Sequence, residues 1–289
     1  MRRRRLGALA VALVALGCAG KKPIIPPDKL WGEAEDAFNI EAYELAVDRY
    51  KKLLDQHPFD QHAEEAELKI ALSYYKAQRW AEAIAAFGDF ERMHPTSAEL
   101  PAVEYHLGMA YLAQASTSDR DQQSHANALT YFRNLTDRFP LSPWAEKARL
   151  RVRECREALA KHEADVAAYY LKIGNLKAAE ARLQGLLTDY PETDAAAQCL
   201  YAFAQVYAAR NEAEGATLAL ATLARHHPDG PLGREARERL GAAVSLDGDD
   251  PMNLLIAHIV HMRTEADRQK LPNTVSAYPD ITGATPPTP

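Results

Sequence analysis

The chain is poor in cysteine, with three in 289 residues at positions 18, 155 and 199. Domains held together by disulfides carry far more, so a disulfide scaffold is excluded. Long apolar runs are missing too. The run from Leu6 to Leu16 covers eleven residues, where a helix needs roughly 20 to cross a bilayer. Basic residues are outnumbered, 34 Lys and Arg against 40 Asp and Glu, for a formal net charge of −6. That is the wrong sign for a nucleic-acid partner. The sequence contains no phosphate-binding glycine loop, no HExxH or CxxC motif and no GxSxG elbow. His226 with His227, and His258 with His261, lack a third ligand at matching spacing, and zinc sites need three or four. They read as helix-surface histidines. The expectation is a protein that is not an enzyme and holds no metal.

What is present begins at the N-terminus. Arg2 to Arg5 precede the apolar run, the layout of a secretion signal. The segment VALVALGCAG then places Cys18 after Ala15, Leu16 and Gly17, which resembles a bacterial lipobox. The resemblance implies cleavage before Cys18, a diacylglycerol on its sulfur and a fatty acyl chain on the new amino terminus. Two or more chains anchor stably where one is marginal. Ala19, rather than aspartate, follows the cysteine, which favours the outer membrane. Loss of residues 1–17, four arginines among them, leaves 272 residues with a formal charge of −10. Cys155 and Cys199 then remain either as two buried, inert thiols or as one staple between neighbouring helices.

Residues 18–29 hold the proline-rich tether KKPIIPPDK, in which Asp28 is placed to cap a helix opening at Leu30. From there the pattern is helical and repeats itself. Five segments carry alanine, a large residue four positions on, and proline eight after that. The alanines are Ala46, Ala83, Ala128, Ala179 and Ala216; the large residues are Tyr50, Phe87, Phe132, Leu183 and Leu220; the prolines are Pro58, Pro95, Pro140, Pro191 and Pro228. Ahead of four of them lie the pairs Ala71 and Tyr74, Gly108 and Tyr111, Ala167 and Tyr170, Ala204 and Tyr207. Small residues let two helices approach, large ones fill the groove, and proline ends the second helix. This matches the tetratricopeptide signature. The predicted fold is all-α, a tetratricopeptide-like helical-hairpin solenoid of about five repeats over residues 30–245.

The array is irregular. STSDRDQQS reads as an inserted polar loop, and SPWAEKARLRVRECREALAK as an extra helix running into repeat four. GREARERLGAAV looks like a terminal capping helix. Residues 246–270 form a linker and an amphipathic helix with Met252, Leu255, Ile259 and Met262 on one side, which either packs on the array or docks a partner. Residues 271–289, rich in Pro and Thr, read as a disordered tail.

Binding is the function class left. In tetratricopeptide arrays the first helix of each pair lines the concave face. The proline register places Trp31, Glu35, Phe38, Leu72, Tyr75 and Lys76 there, and the LG-x-x-Y register adds Tyr105 and Met109. Aromatics and methionine suit adaptable peptide sites; the alternative is that they fill the core between repeats. Arg149, Arg153 and Arg156 recur on one face of the extra helix and are placed to meet an acidic partner, although interspersed Glu146, Glu154 and Glu157 also make a solvated, ion-paired face.

Taken together, the lipidated cysteine, the tether and HPFDQHAEEAELKIALSYYKAQRWAEAIAAFGDFERMHP resemble the BamD/YfiO family of outer-membrane lipoproteins. More specific are SDRDQQSHANALTYFRNLTDRFPLSPWAEKA, with its RDQ tripeptide at Arg120 to Gln122, and LAKHEADVAAYYLKIGNLKAAEARLQGLLTDYPET. The resemblance covers Cys18 to about Leu240. It implies a non-catalytic subunit of the β-barrel assembly machinery, lipid-anchored on the periplasmic face of the outer membrane. It also implies partners: the POTRA region of a BamA-like barrel protein for the C-terminal half, and unfolded outer-membrane protein clients for the N-terminal half. The competing reading is a tetratricopeptide lipoprotein for pilus or secretin assembly, or for Tol-Pal coordination.

Overall fold

The computed structural model describes residues 24–115, 122–241 and 248–269. The signal segment, Cys18 and the tail from 271 onward lie outside the described residues. The helices are α1 (Pro27–Asn39), α2 (Tyr43–Gln56), α3 (Ala63–Lys76), α4 (Trp80–Met93), α5 (Leu100–Ala115), α6 (Gln122–Arg138), α7 (Pro143–Lys172), α8 (Leu176–Asp189), α9 (Asp194–Ala209), α10 (Ala213–His226), α11 (Pro231–Leu240) and α12 (Pro251–Gln269). No strand occurs among the described residues. The chain divides into two compact units, one up to Ala148 and one from Arg149, with the boundary inside α7.

In the first unit each helix from α1 to α6 packs on the next. Turns of two kinds alternate. At the end of α2, α4, α6, α8 and α10 the helix stops two residues before its proline. The residue between, such as His57 (φ −138°, ψ 64°) or His94 (φ −123°, ψ 59°), leaves the helical region, because a following proline ring clashes with helical backbone there. The second kind joins the helices of a pair in three residues, the middle one left-handed: Glu41 (φ 62°), Gln78 (φ 58°), Gly174 (φ 76°) and Asn211 (φ 62°). After each, the next N–H bonds back five residues, as in Ala42 to the Ala37 carbonyl at 2.9 Å and Arg79 to Tyr74 at 2.9 Å. These are Schellman turns, in which glycine is the unstrained choice; only one of the four positions has it.

The small-large pattern forms the core. Ala46, Ala83, Ala128 and Ala179 are fully buried, as are Tyr50, Phe87, Phe132 and Leu183. A Cβ on Gly108 would lie 2.5 Å from the Phe132 ring, so that glycine is what lets α5 and α6 close together. Repeat five departs from expectation. Ala216 and Leu220 are only half-buried, and the core positions of α10 are Gly215, Ala219 and Leu223. The reason is α12, which covers α10: a Cβ on Gly215 would meet both the His258 and the Tyr207 rings at 3.1 Å.

The second unit therefore has a core built by α7 to α12, with Leu255 and Ile259 of α12 fully buried in it. The amphipathic helix packs on the array, against α8 and α10. Three other expectations change. Helix α1 opens at Pro27, not Leu30, and Asp28 makes no side-chain cap; proline at the first helical position has the right φ already and lacks an N–H that would go unused. The last three residues of STSDRDQQS belong to α6, and Ser124 is buried. The extra helix and the first helix of repeat four are one continuous α7 of 30 residues.

Candidate binding surfaces and family

In the first unit, α3 to α6 and the start of α7 bring seven rings together. Tyr75 on α3 meets the His106 ring of α5 at 5.0 Å and the Trp80 ring at 5.4 Å. His106 stacks on the buried Phe87 at 5.8 Å and faces Trp144 at 5.4 Å. Tyr105 packs against Trp144 at 5.0 Å and Phe132 at 5.8 Å. Lys147 lies 4.4 Å above the Trp144 ring, and Lys76 is exposed at the end of α3. Tyr75, Tyr105, His106 and Trp144 are half-buried, so the patch is anchored below by core rings while its upper edges meet solvent. Burial, with Lys76 and Lys147 nearby, pushes the His106 imidazole down to about 4; it is neutral at any physiological pH. What the patch can do chemically is stack on planar or apolar side chains beside positive charge.

Five of the eight predicted groove residues map to this region. Tyr75, Lys76 and Tyr105 lie in it or at its edge, Met109 is half-buried one turn beyond Tyr105 on α5, and Leu72 packs into the core beneath α3. Trp31 and Phe38, half-buried, pack against a different cluster, the core of α1 to α3, and Glu35 is half-buried on the same helix. Trp31 stacks on His62 at 4.6 Å, Phe38 lies under Lys69 at 4.6 Å, and Glu35 accepts from Tyr50 Oη and pairs with Lys69 at 2.9 Å. His106 and Trp144 escaped the sequence reading. The LG-x-x-Y register reaches the former's neighbour Tyr105, but nothing in the local pattern brings the first turn of α7 to α5.

In the second unit the three arginines separate. Arg156 donates to the Glu192 carboxylate and, at 2.6 Å, to the Asp189 carbonyl, and lies over the Tyr190 ring at 5.2 Å. It ties α7 to the turn between α8 and α9. Arg149 and Arg153 are exposed, and Arg153 borders a cleft of about 540 Å³ with Glu154, Glu157, Lys161, Glu192 and Asp194 among its walls. Glu157 accepts the Asp194 and Ala195 N–H groups, both at 2.9 Å, satisfying the open end of α9 from a neighbouring helix. The Arg156 partner holds the Glu192 carboxyl below its ordinary range. The cleft is of mixed charge.

The remaining candidates are structural. Cys155 and Cys199 are free and buried, and burial pushes both thiols up to about 12. His261 is exposed, as read from the sequence, whereas His226, His227 and His258 are half-buried, His226 pairing with Asp250 at 2.8 Å. Among the described residues no three His, Cys, Asp or Glu side chains are placed to share a metal.

The sequence profile of the YfiO family, described as outer membrane lipoprotein, matches residues 24–223. The chain belongs to this family. Among curated relatives, the outer membrane protein assembly factor BamD of Vibrio cholerae serotype O1 is 30% identical over 207 residues, covering 67% of this chain and 86% of the relative. BamD of Neisseria meningitidis serogroup B is 33% identical over 202 residues, 65% of this chain and 76% of the relative. BamD of Caulobacter vibrioides is 26% identical over 209 residues, 70% and 68% respectively. A looser likeness, TM-score 0.38 at 16% identity over 84% of this chain and 95% of the other, is to the TPR2AB domain of yeast Sti1. The YfiO match takes in the ring patch and the α7 face, and ends within α10; α11 and α12 lie beyond it.

Proposed function

We propose that this YfiO-family protein is a non-catalytic assembly factor for outer membrane proteins, anchored by lipid at Cys18 on the periplasmic face of the outer membrane. The observation that carries the reading is the family match over residues 24–223, together with relatives named as assembly factors for outer membrane proteins. Within that role, the ring patch of Tyr75, Tyr105, His106 and Trp144 receives extended, aromatic-bearing segments of unfolded clients, with Lys76 and Lys147 attracting their negative charge. The face of α7 bearing Arg149 and Arg153, beside the cleft at the start of α9, meets the POTRA region of a BamA-like barrel protein.

The lysines give the cleaner test of the client surface, because neither is a core residue. The double variant Lys76→Glu and Lys147→Glu weakens binding of a client-derived peptide with a terminal aromatic and free carboxylate by about tenfold, roughly 1.4 kcal/mol. Its circular dichroism matches that of the parent. Unchanged affinity in a folded double variant removes the client assignment.

A further inference from the structure

The tether leaves the fold at a fixed point. The Ile25 N–H donates to Gln56 Oε1 at 2.9 Å, and the Ile25 carbonyl accepts from His57 Nε2 at 2.7 Å, so the chain entering α1 is tied to the end of α2. Two residues past His57 stands Phe59, 99% exposed, and beside Ile25 stands Ile24, 76% exposed. The turn that presents Phe59 is braced on its far side as well. Asp60 accepts from the His62 N–H at 3.0 Å and meets the His62 ring at 2.9 Å, and that ring stacks on Trp31. A hydrogen-bonded turn thus holds a phenyl ring entirely in water at the end of the fold where the chain enters α1, and the exposed Ile24 precedes the residue tied to that end.

We infer that Phe59 and Ile24 form an edge by which the protein rests on the bilayer that holds its anchor. The inference rests on the lipid-anchor reading above. Cys18 lies six residues before Ile24, and an extended chain spans at most about 3.4 Å per residue, so Ile24 is held within about 20 Å of the lipidated residue. At that tethering distance a second contact is intramolecular, and a weak one is enough. Aromatic and aliphatic side chains at the headgroup boundary supply such a contact. The helices give an internal contrast. Ile40, 74% exposed, closes the opposite end of α1, about 20 Å away at 1.5 Å per residue, and has no tether beside it.

The test uses the full-length acylated protein, purified from membranes and reconstituted into phosphatidylethanolamine and phosphatidylglycerol vesicles. Phe59→Cys and Ile40→Cys variants each carry a polarity-sensitive fluorophore; Cys155 and Cys199 are buried and do not label in the folded state. With brominated lipids in the vesicles, the probe at position 59 is quenched at least twofold and its emission shifts to the blue, while the probe at position 40 is unchanged. Protein that floats with the vesicles but leaves the probe at 59 unquenched, or quenches both probes equally, overturns the edge and leaves the anchor standing. Protein that fails to float overturns the anchor and the edge with it. A probe at 59 that responds to added client peptide and not to bromine gives the surface to a protein partner, and overturns the bilayer assignment.

Discussion

Glu104 on α5 is fully buried, ion-paired with Arg138 and close to Glu91, and one of its oxygens has no hydrogen-bond partner. Desolvation outweighs Arg138 and pushes its carboxyl up to about 7. Between the ordinary carboxylate range and 7 the folded state binds more protons than the unfolded chain, so this group favours the fold at low pH and loses that contribution as pH rises towards 7. His106 acts the other way. Its folded value near 4 lies below the ordinary 6.5, so its contribution is full above 6.5 and is lost as pH falls. The two offset each other in the wild type. Glu104→Gln leaves His106 unopposed, and urea melts of that variant show stability falling more steeply than in the parent from pH 7 to 5. An unchanged or shallower slope contradicts the assignment. Two further changes follow from backbone and packing. Gly108→Ala drives a methyl into the Phe132 ring and lowers stability by about 1–3 kcal/mol. Gln78→Gly relieves a left-handed residue at an exposed turn and raises stability by about 0.5–1 kcal/mol, measured by the same melts.

Helices and their ends were the most legible part of the chain. Each of the five prolines marks a real helix end because its effect is local: the ring forbids helical backbone just before it. The paired small and large residues were legible for the same reason, since one buried face needs them at helical spacing. The Schellman turns at Glu41 and Gln78 were not, because neither residue type announces a left-handed backbone. Repeat five misled for a reason beyond its own sequence. Its register is altered by α12, an element that begins 25 residues past the end of α10 and takes over one side of it. At this scale the prediction is that α12 belongs to the folded unit. Ile259→Ala removes a fully buried side chain between α12 and its neighbours and costs about 2–4 kcal/mol in denaturant unfolding. A loss below about 0.5 kcal/mol means that α12 does not pack as described.

For the molecule as a whole, fold class and family were both legible before any coordinates, because a repeated helical pair and several family-like segments each span many residues. The candidate surfaces were legible only in part. Tyr75, Lys76 and Tyr105 do converge, since helix register places them on facing helices, whereas Trp144 joins them through tertiary packing across 39 residues from Tyr105. Glu35 and Phe38, read as groove, are half-buried beside the α1 to α3 core, where the carboxylate bonds Tyr50 and Lys69 and the ring lies under Lys69; a sequence register gives the face of a helix and not what its side chains bond to. Arg156 likewise carries charge that its own fold uses. The central claim is the assembly role. It is tested most directly by purifying the tagged full-length protein from the membrane fraction in mild detergent and identifying what remains bound. The account predicts a barrel-forming protein carrying POTRA domains. Recovery of a secretin or a Pal-like protein, with no such barrel, contradicts it.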